Sequence, residues 1–203
     1  MTSAAAITRA YPQAAPVAHA LVALSHQLGA DPAWLANVIQ YESRWNPQAI
    51  NGGTGASGLI QFMPSTARGL GTTVEAIRRM TAGQQMQYVA AYFRRFRGKL
   101  RSQEDVFMAV FYPAAVGKGA SYSFPARVAR ANNGISTAGE YARRALAVAC
   151  LSPTPRPRGP LLYSPSAGRG ARGVSRRNQR LVLGIGAAVF AVIAVGAAVA
   201  VRS

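Results

Sequence analysis

Acidic residues are scarce in this chain: six Asp+Glu stand against 23 Lys+Arg in 203 residues. Any acid–base chemistry must therefore draw on a very short list of carboxylates. Cysteine is nearly absent, and a single one excludes a disulfide framework. Two histidines and that one cysteine are too few for a structural zinc site, so neither a metal nor another cofactor is expected. Strand-like alternation of apolar and polar residues is almost missing, which argues against a β fold. The amino terminus, MTSAAAITRAYPQAAP, holds no apolar run of signal-peptide quality, because His19, Ser25 and His26 interrupt the stretch that follows it. Residues 1–16 are small-residue-rich and broken by Pro12 and Pro16, and are expected to be a flexible end.

What is abundant is positive charge and apolar surface. A formal net charge of +17 points to a polyanionic partner, whether nucleic acid, anionic lipid or an acidic polymer. Half of the residues are hydrophobic, ample for a packed core. Helical patterns cover 17–28, 32–43, 64–69, 73–80, 82–97, 103–112, 124–132 and 138–149, punctuated by Gly, Asn and Pro. Residues 17–150 are thus expected to form one all-α domain, with a minor irregular or strand segment across 50–60.

Composition changes sharply after residue 150. Residues 151–180 hold five Pro, four Gly and seven Arg, too little apolar surface for a core, and are expected to be a solvated tether. Its arginines could contact DNA or anionic lipid, although charge runs are usually just solvated. From Leu181 to Val201 runs an uncharged apolar stretch of 21 residues. As a helix it would be roughly 31 Å long, enough to cross a bilayer core of about 30 Å. A transmembrane helix is expected there, with Gly184, Gly186 and Ala188 offering weak small-residue spacing for self-association. Arg172, Arg176, Arg177 and Arg180 precede the span and only Arg202 follows it, which orients the upstream domain toward the cytoplasm.

Five of the six carboxylates have an ordinary structural job. Asp31 precedes Pro32 as an N-cap does. Glu75, Asp105 and Glu140 each stand three residues after Thr72, Ser102 and Thr137, the spacing of a capping box. Glu104 lies in a first helical turn, where the dipole favours negative charge. Glu42 is the exception. It stands four after Val38 and three after Ile39, on the apolar stripe of its helix and at the helix end where the dipole opposes a negative charge. Burial and dipole both raise its pKa, as a general acid working near neutral pH requires. The competing role is an ion pair with Arg44 or another arginine.

Downstream lies a glycine-rich turn, Asn51 to Gly58, then Leu59, Ile60, Gln61, Phe62, Met63 and Pro64. No Lys-Ser/Thr follows the glycines, so a phosphate-binding loop is excluded. Glycines let backbone approach a ligand closely, and Gln61 offers a donor and an acceptor among apolar neighbours, a mixture suited to a sugar or peptide groove.

At these residues the chain resembles the soluble-lytic-transglycosylase-like branch of the lysozyme superfamily, related to goose-type lysozyme. The resemblance is carried by Glu42-Ser43 with Asn46-Pro47, then by Gly58 to Ala67, GLIQFMPSTA, and extends over about residues 17–145. It implies a lysozyme-like α domain that cleaves the MurNAc–GlcNAc bond of peptidoglycan glycan strands. Glu42 matches the family's catalytic glutamate, first protonating the glycosidic oxygen and then accepting the proton of the MurNAc C6 hydroxyl. The product would be 1,6-anhydroMurNAc. The substrate supplies the nucleophile, so no second carboxylate is needed, whereas an ordinary glycosidase uses a pair. Ser43, Gly58, Gln61, Phe62, Tyr112 and Tyr141 are the substrate-binding candidates the resemblance suggests. One departure is the segment Ala109 to Lys118, AVFYPAAVGK, which has no Asn where many members carry Ala-x-Asn-Ala-Gly. That version looks like one found in phage-borne members.

A wall-cleaving domain held in the cytosol would never meet its substrate. A bacteriophage origin resolves the conflict: carried in a virion membrane, the enzyme would reach the wall during genome entry. The alternatives are a hydrolytic muramidase, or a non-enzymatic basic membrane-anchored virion protein that binds DNA or lipid.

Overall fold

A computed structural model describes residues 1–148; the expected tether and transmembrane helix lie outside the described residues. Nine α-helices occur among the described residues, linked by turns and three short 3₁₀ segments. They are α1 (Ala4–Ala10), α2 (Ala18–Leu28), α3 (Pro32–Ser43), α4 (Pro64–Gly69), α5 (Val74–Arg79), α6 (Ala82–Phe93), α7 (Gln103–Phe111), α8 (Ala126–Ala131) and α9 (Ala138–Leu146). No extended strand forms among them. The segment across 50–60 makes only isolated antiparallel bridges, Ile50 with Ser57 and Ser57 with Phe62. The all-α expectation is met for this part of the chain. Among the described residues no helix is long and apolar enough to cross a membrane.

The central element is α3. Every residue from Pro32 to Ile39 is buried, so the helix is enclosed on all sides over its first turns rather than along one stripe. α2, α7 and α9 pack around it. Only Gln40, Tyr41 and Glu42 begin to emerge. Such a helix needs its polar side chains satisfied, and Asn37, fully buried, is. Its Oδ1 accepts from the Tyr11 hydroxyl at 2.8 Å and its Nδ2 donates to Gln103 Oε1 at 2.8 Å. Gln103 Nε2 in turn donates to the Trp34 carbonyl at 3.0 Å. This chain of bonds ties α1, α3 and α7 together.

The amino terminus corrects the sequence reading. Residues 1–16 are not a loose end: Ser3 caps α1, and Ile7, Tyr11 and Ala14 are all in the core. Burying Ile7 and Tyr11 contributes about 1.5–3 kcal/mol each, which offsets part of the cost of ordering so short a helix. The Thr2 hydroxyl also donates to Asp31 Oδ1 at 2.8 Å, fastening the end of the chain to the start of α3. Pro12 and Pro16 suggested disorder because they break helices, yet Pro12 begins a 3₁₀ turn and redirects the chain into α2.

Caps account for most of the carboxylates. Asp31 accepts from Ala33 N–H, and Thr137 and Glu140 form a reciprocal capping box. Ser102 caps α7, but Asp105 reaches past it to Arg101 N–H at 2.9 Å and to Gly117 N–H at 2.7 Å. Asp105 therefore holds the turn after α7 as well as its start. In α5 the cap is Thr73, not Thr72, and Glu75 pairs with Arg78 at 3.5 Å.

Candidate active site

Glu42 occupies the last turn of α3 and is half-buried. No arginine is paired with it among the described residues; the Arg44 bridge does not form. Protein atoms crowd the carboxyl so that desolvation raises its pKa from 4.5 to about 8. The acid is thus mostly protonated at neutral pH, as its sequence position led us to expect.

Backbone strain follows this residue and recurs in the glycine-rich segment. Arg44 and Trp45 both adopt positive φ, 51° and 65°, and Gln61 has φ 52°. Left-handed geometry at non-glycine residues costs of order 1 kcal/mol each and persists where surrounding structure enforces it. Here the enforcement is visible. Trp45 is buried against Tyr11, with ring centroids 5.6 Å apart. Asn46 Oδ1 accepts from Gln48 N–H at 2.9 Å, turning the chain away from α3.

Three phenols feel the charge of Glu42. Tyr41 is pushed up to about 12 by burial, then by the Glu42 charge, against lowering contributions from Tyr141 and Arg144. Tyr141 is raised by burial, then by Glu42 and Tyr41. The two phenols share a hydrogen bond, with ring centroids 6.0 Å apart and nearly perpendicular. Tyr141 is itself fixed by stacking on Phe111, 3.9 Å between centroids, and by an edge contact with Phe107. Tyr92, on α6, is raised by burial, opposed by Arg95, and raised further by Glu42. Its hydroxyl donates to the Ala109 carbonyl at 2.6 Å.

The glycine-rich turn is held from inside. Asn51 Oδ1 accepts from the N–H groups of Gly53 and Thr54. Ser57 and Phe62 exchange both backbone hydrogen bonds, at 3.0 and 2.8 Å, closing the loop 58–61. Gln85, fully buried on α6, is the fastener. Its Oε1 accepts from Leu59 N–H at 2.9 Å, and its Nε2 donates to the carbonyls of Pro47 and Ile77 at 2.6 and 2.9 Å. One amide thereby fixes the segment after α3, the glycine turn and α5.

The other candidates fall in different settings. Ser43 is buried and donates back to the Ile39 carbonyl at 3.2 Å. Gly58 has φ 81° and sits against Gln85. Gln61 is half-buried, and its Nε2 donates to Gly58 O at 3.1 Å and Ala49 O at 3.4 Å. Phe62 is buried with its edge to Tyr92, 6.3 Å between centroids, so it belongs to the wall behind the site. Tyr112 ends α7 and is stacked with Tyr122 at 6.2 Å, forming with Phe124 an aromatic cluster. That cluster reaches Tyr141 through Phe111, which touches both Phe124 and Tyr141. The segment 109–118 thus supplies Phe111 and Tyr112 to this aromatic cluster.

Tyr41, Tyr92 and Gln85 are structural neighbours that sequence reasoning missed. Only Gln85 carried a signal, since it shares an apolar helical face with Val89, Tyr92 and Phe93. A polar residue on such a stripe announces a buried amide.

The described residues thus form an α-helical domain that encloses one high-pKa glutamic acid. Residues 22–109 match the family model described as Transglycosylase SLT domain. A 51-residue stretch is 49% identical to a protein named Transglycosylase from Enterobacteria phage PRD1, covering 25% of this chain and 19% of that protein. The match thus spans about a fifth of the relative's length. No solved structure matches. Residues 22–109 are thus similar to an SLT transglycosylase domain, and a quarter of the chain is similar to a transglycosylase from a phage.

Proposed function

We propose that this protein is a peptidoglycan lytic transglycosylase with Glu42 as its catalytic acid and base. The observation that carries this reading is a carboxyl group raised to about 8 by desolvation alone, inside a domain of the SLT type. At neutral pH Glu42 holds a proton and delivers it to the oxygen linking MurNAc to GlcNAc. The C1–O bond breaks and the GlcNAc hydroxyl leaves. The resulting carboxylate, poorly solvated and strongly basic, then takes the proton of the MurNAc C6 hydroxyl as that oxygen bonds to C1. The cycle ends with Glu42 protonated again and a 1,6-anhydro ring in the product.

The remaining carboxylates are committed elsewhere, which favours this route over a two-carboxylate one. Asp31 and Glu140 cap helices, Asp105 accepts two backbone N–H groups and Glu75 faces Arg78. Glu104 stands in the first turn of α7, stabilised by the helix dipole.

The experiment is digestion of purified peptidoglycan by the wild type and by Glu42→Gln, read by mass spectrometry of the muropeptides. Anhydro products, lighter by one water than reducing-end counterparts and lost in the variant, are the expected result. Reducing-end MurNAc identifies a hydrolytic muramidase. Absence of any release removes the enzymatic reading and leaves a basic structural protein.

The same proposal places the enzyme in a membrane through residues 181–201 and in a phage virion, where it opens the wall during genome entry. It is supported by the uncharged 21-residue run and by the phage origin of the relative named above. Detecting the protein in the membrane fraction of purified virions is the expected outcome; its absence from virions overturns the placement.

A further inference from the structure

Two partly exposed tyrosines stand at the end of the domain where Glu42 emerges. α3 and α7 run side by side in the same direction. Gln103, at the start of α7, bonds Asn37 and the Trp34 carbonyl, and Phe107, one turn on, meets Tyr41 edge-on with centroids 5.9 Å apart. The last turns of the two helices therefore lie together, and Tyr112, which ends α7, comes to the same end as Glu42. Its neighbour Phe111 makes the join visible. Phe111 stacks on Tyr141 at 3.9 Å, and Tyr141 meets Tyr41, next to Glu42 in the chain, at 6.0 Å.

From Tyr112 the chain loops out to Phe124 and is tied down on two sides. Gly117 N–H donates to Asp105 Oδ1 on α7 at 2.7 Å. Toward α9, Gly139 N–H donates to the Ala120 carbonyl at 2.9 Å, Ala138 N–H to the Tyr122 carbonyl at 3.0 Å, and Phe124 N–H to the Ser136 carbonyl at 2.7 Å. A Cβ at Gly139 would lie 2.9 Å from the Ala120 Cβ, so the loop sits against α9 as closely as glycine permits. Tyr122 is thereby brought back onto Tyr112. The two rings are nearly parallel, 29° between planes with centroids 6.2 Å apart, and Phe124 props both at 65° and 74°. Phe124 is buried, whereas Tyr112 and Tyr122 each keep part of their surface in solvent. Lys118 Nζ lies 4.7 Å from the Tyr122 centroid.

A pair of rings fixed in this way loses little entropy when it receives a ligand, and it sets a flat apolar surface beside a charged donor. The exposed residues around it, 117–121 and Ser123, are small or polar apart from Lys118, so the patch is far below the size of a protein interface. A pyranose ring suits it, with C–H groups on one face for the tyrosines and hydroxyls at its rim for the lysine. A polymer with one bond at Glu42 continues past that bond, and the two rings stand at that end of the domain.

We propose that Tyr112 and Tyr122 form a stacking platform for a sugar ring of the glycan strand beyond the two sugars joined at the bond held by Glu42. The inference rests on the glycan reading of Glu42 and adds to it a preference for longer strands.

The test uses the full chain carrying Glu42→Gln, so that substrate is bound without turnover. Its affinity is measured for soluble GlcNAc–MurNAc oligomers from disaccharide to octasaccharide. Adding Tyr122→Leu, which keeps apolar bulk against Phe124 but removes the flat ring, is expected to shrink the gain in affinity with length about tenfold. Tyr122→Phe, which keeps the ring, should retain the gain. An undiminished gain in the Leu variant overturns the platform while leaving the glycan site standing. A loss of equal size at every length overturns it too, because it marks a structural role, and so does an equal loss in the Phe variant, because the hydroxyl is then what binds. A loss seen with single-stranded DNA but not with the oligomers reassigns the rings to a nucleic acid. Failure of the parent to bind oligomers of any length overturns both the platform and the glycan reading.

Discussion

The amide of Gln85 occupies the space that a side chain at Gly58 would need. A Cβ built on Gly58 would lie 2.6 Å from Gln85 Oε1 and 2.7 Å from Ile77 Cγ2, and φ at Gly58 is 81°. The glycine is therefore required twice, by its backbone conformation and by the close passage of α6. Because the same amide bonds Leu59 N–H and the Pro47 carbonyl, the geometry of the turn and the departure of the chain from α3 are set by one buried side chain.

Gly58→Ala should destabilise the domain by about 2–4 kcal/mol, combining left-handed strain with overpacking. Gln85→Leu should cost about 3 kcal/mol by leaving the Leu59 N–H and the Pro47 and Ile77 carbonyls unsatisfied. Denaturant unfolding of each variant checks both, and equal stability of wild type and Gly58→Ala would refute the close-passage argument.

Glu42 makes stability depend on pH in an unusual direction. Its folded pKa, about 8, is raised above the ordinary 4.5, so between these values the folded state binds more protons than the unfolded one. Its contribution to stability is full below about 4.5 and is lost as pH rises toward 8. Glu42→Gln should therefore be more stable than the wild type by about 2 kcal/mol at pH 8 and indistinguishable near pH 4, the figure being reduced for partial exposure of the side chain. Melting curves across that range provide the measurement.

The same group should govern the rate. Turnover needs protonated Glu42, so kcat/KM should fall as pH rises through about 8. A wild-type profile that is flat from pH 6 to 9 would contradict a buried acid in this role.

Tyr141→Phe keeps the stack on Phe111 but removes the hydrogen bond to Tyr41. It should cost about 1 kcal/mol in stability, and the alkaline limb of the pH–rate profile should move because a phenol near Glu42 is gone. Comparison of the two profiles, with melting as a control, separates a positioning effect from simple unfolding.

Deleting residues 1–16 should cost several kcal/mol, since Ile7, Tyr11 and Ala14 leave the core and Asn37 loses the Tyr11 hydroxyl. Urea unfolding of the truncated chain tests this; an unaltered midpoint would mean that α1 contributes nothing.

Much of this organisation was legible in the sequence because it is local. Helix periodicity, the caps at Asp31, Ser102 and Thr137, and the all-α class follow from side chains three or four residues apart. Glu42 could be singled out because it continues the apolar stripe of Val38 and Ile39, and only five other carboxylates competed with it. The docking of α1 was hidden, because Ala4–Ala10 offers a single strongly apolar residue and becomes stable only against α2 and α3.

The sequence by itself determined the helices from α2 onward, the caps at Asp31, Ser102 and Thr137, and the acid that stands apart from the other carboxylates. The tertiary structure alone decided that Tyr92 and Tyr141 come within reach of that acid's charge and that Gln85 holds Gly58 and Leu59 in place. These relationships join positions tens of residues apart, and their energies come from burial and from satisfying polar groups in a desolvated interior. Neither condition exists until the chain has folded, so no pattern of neighbouring residues could have announced them.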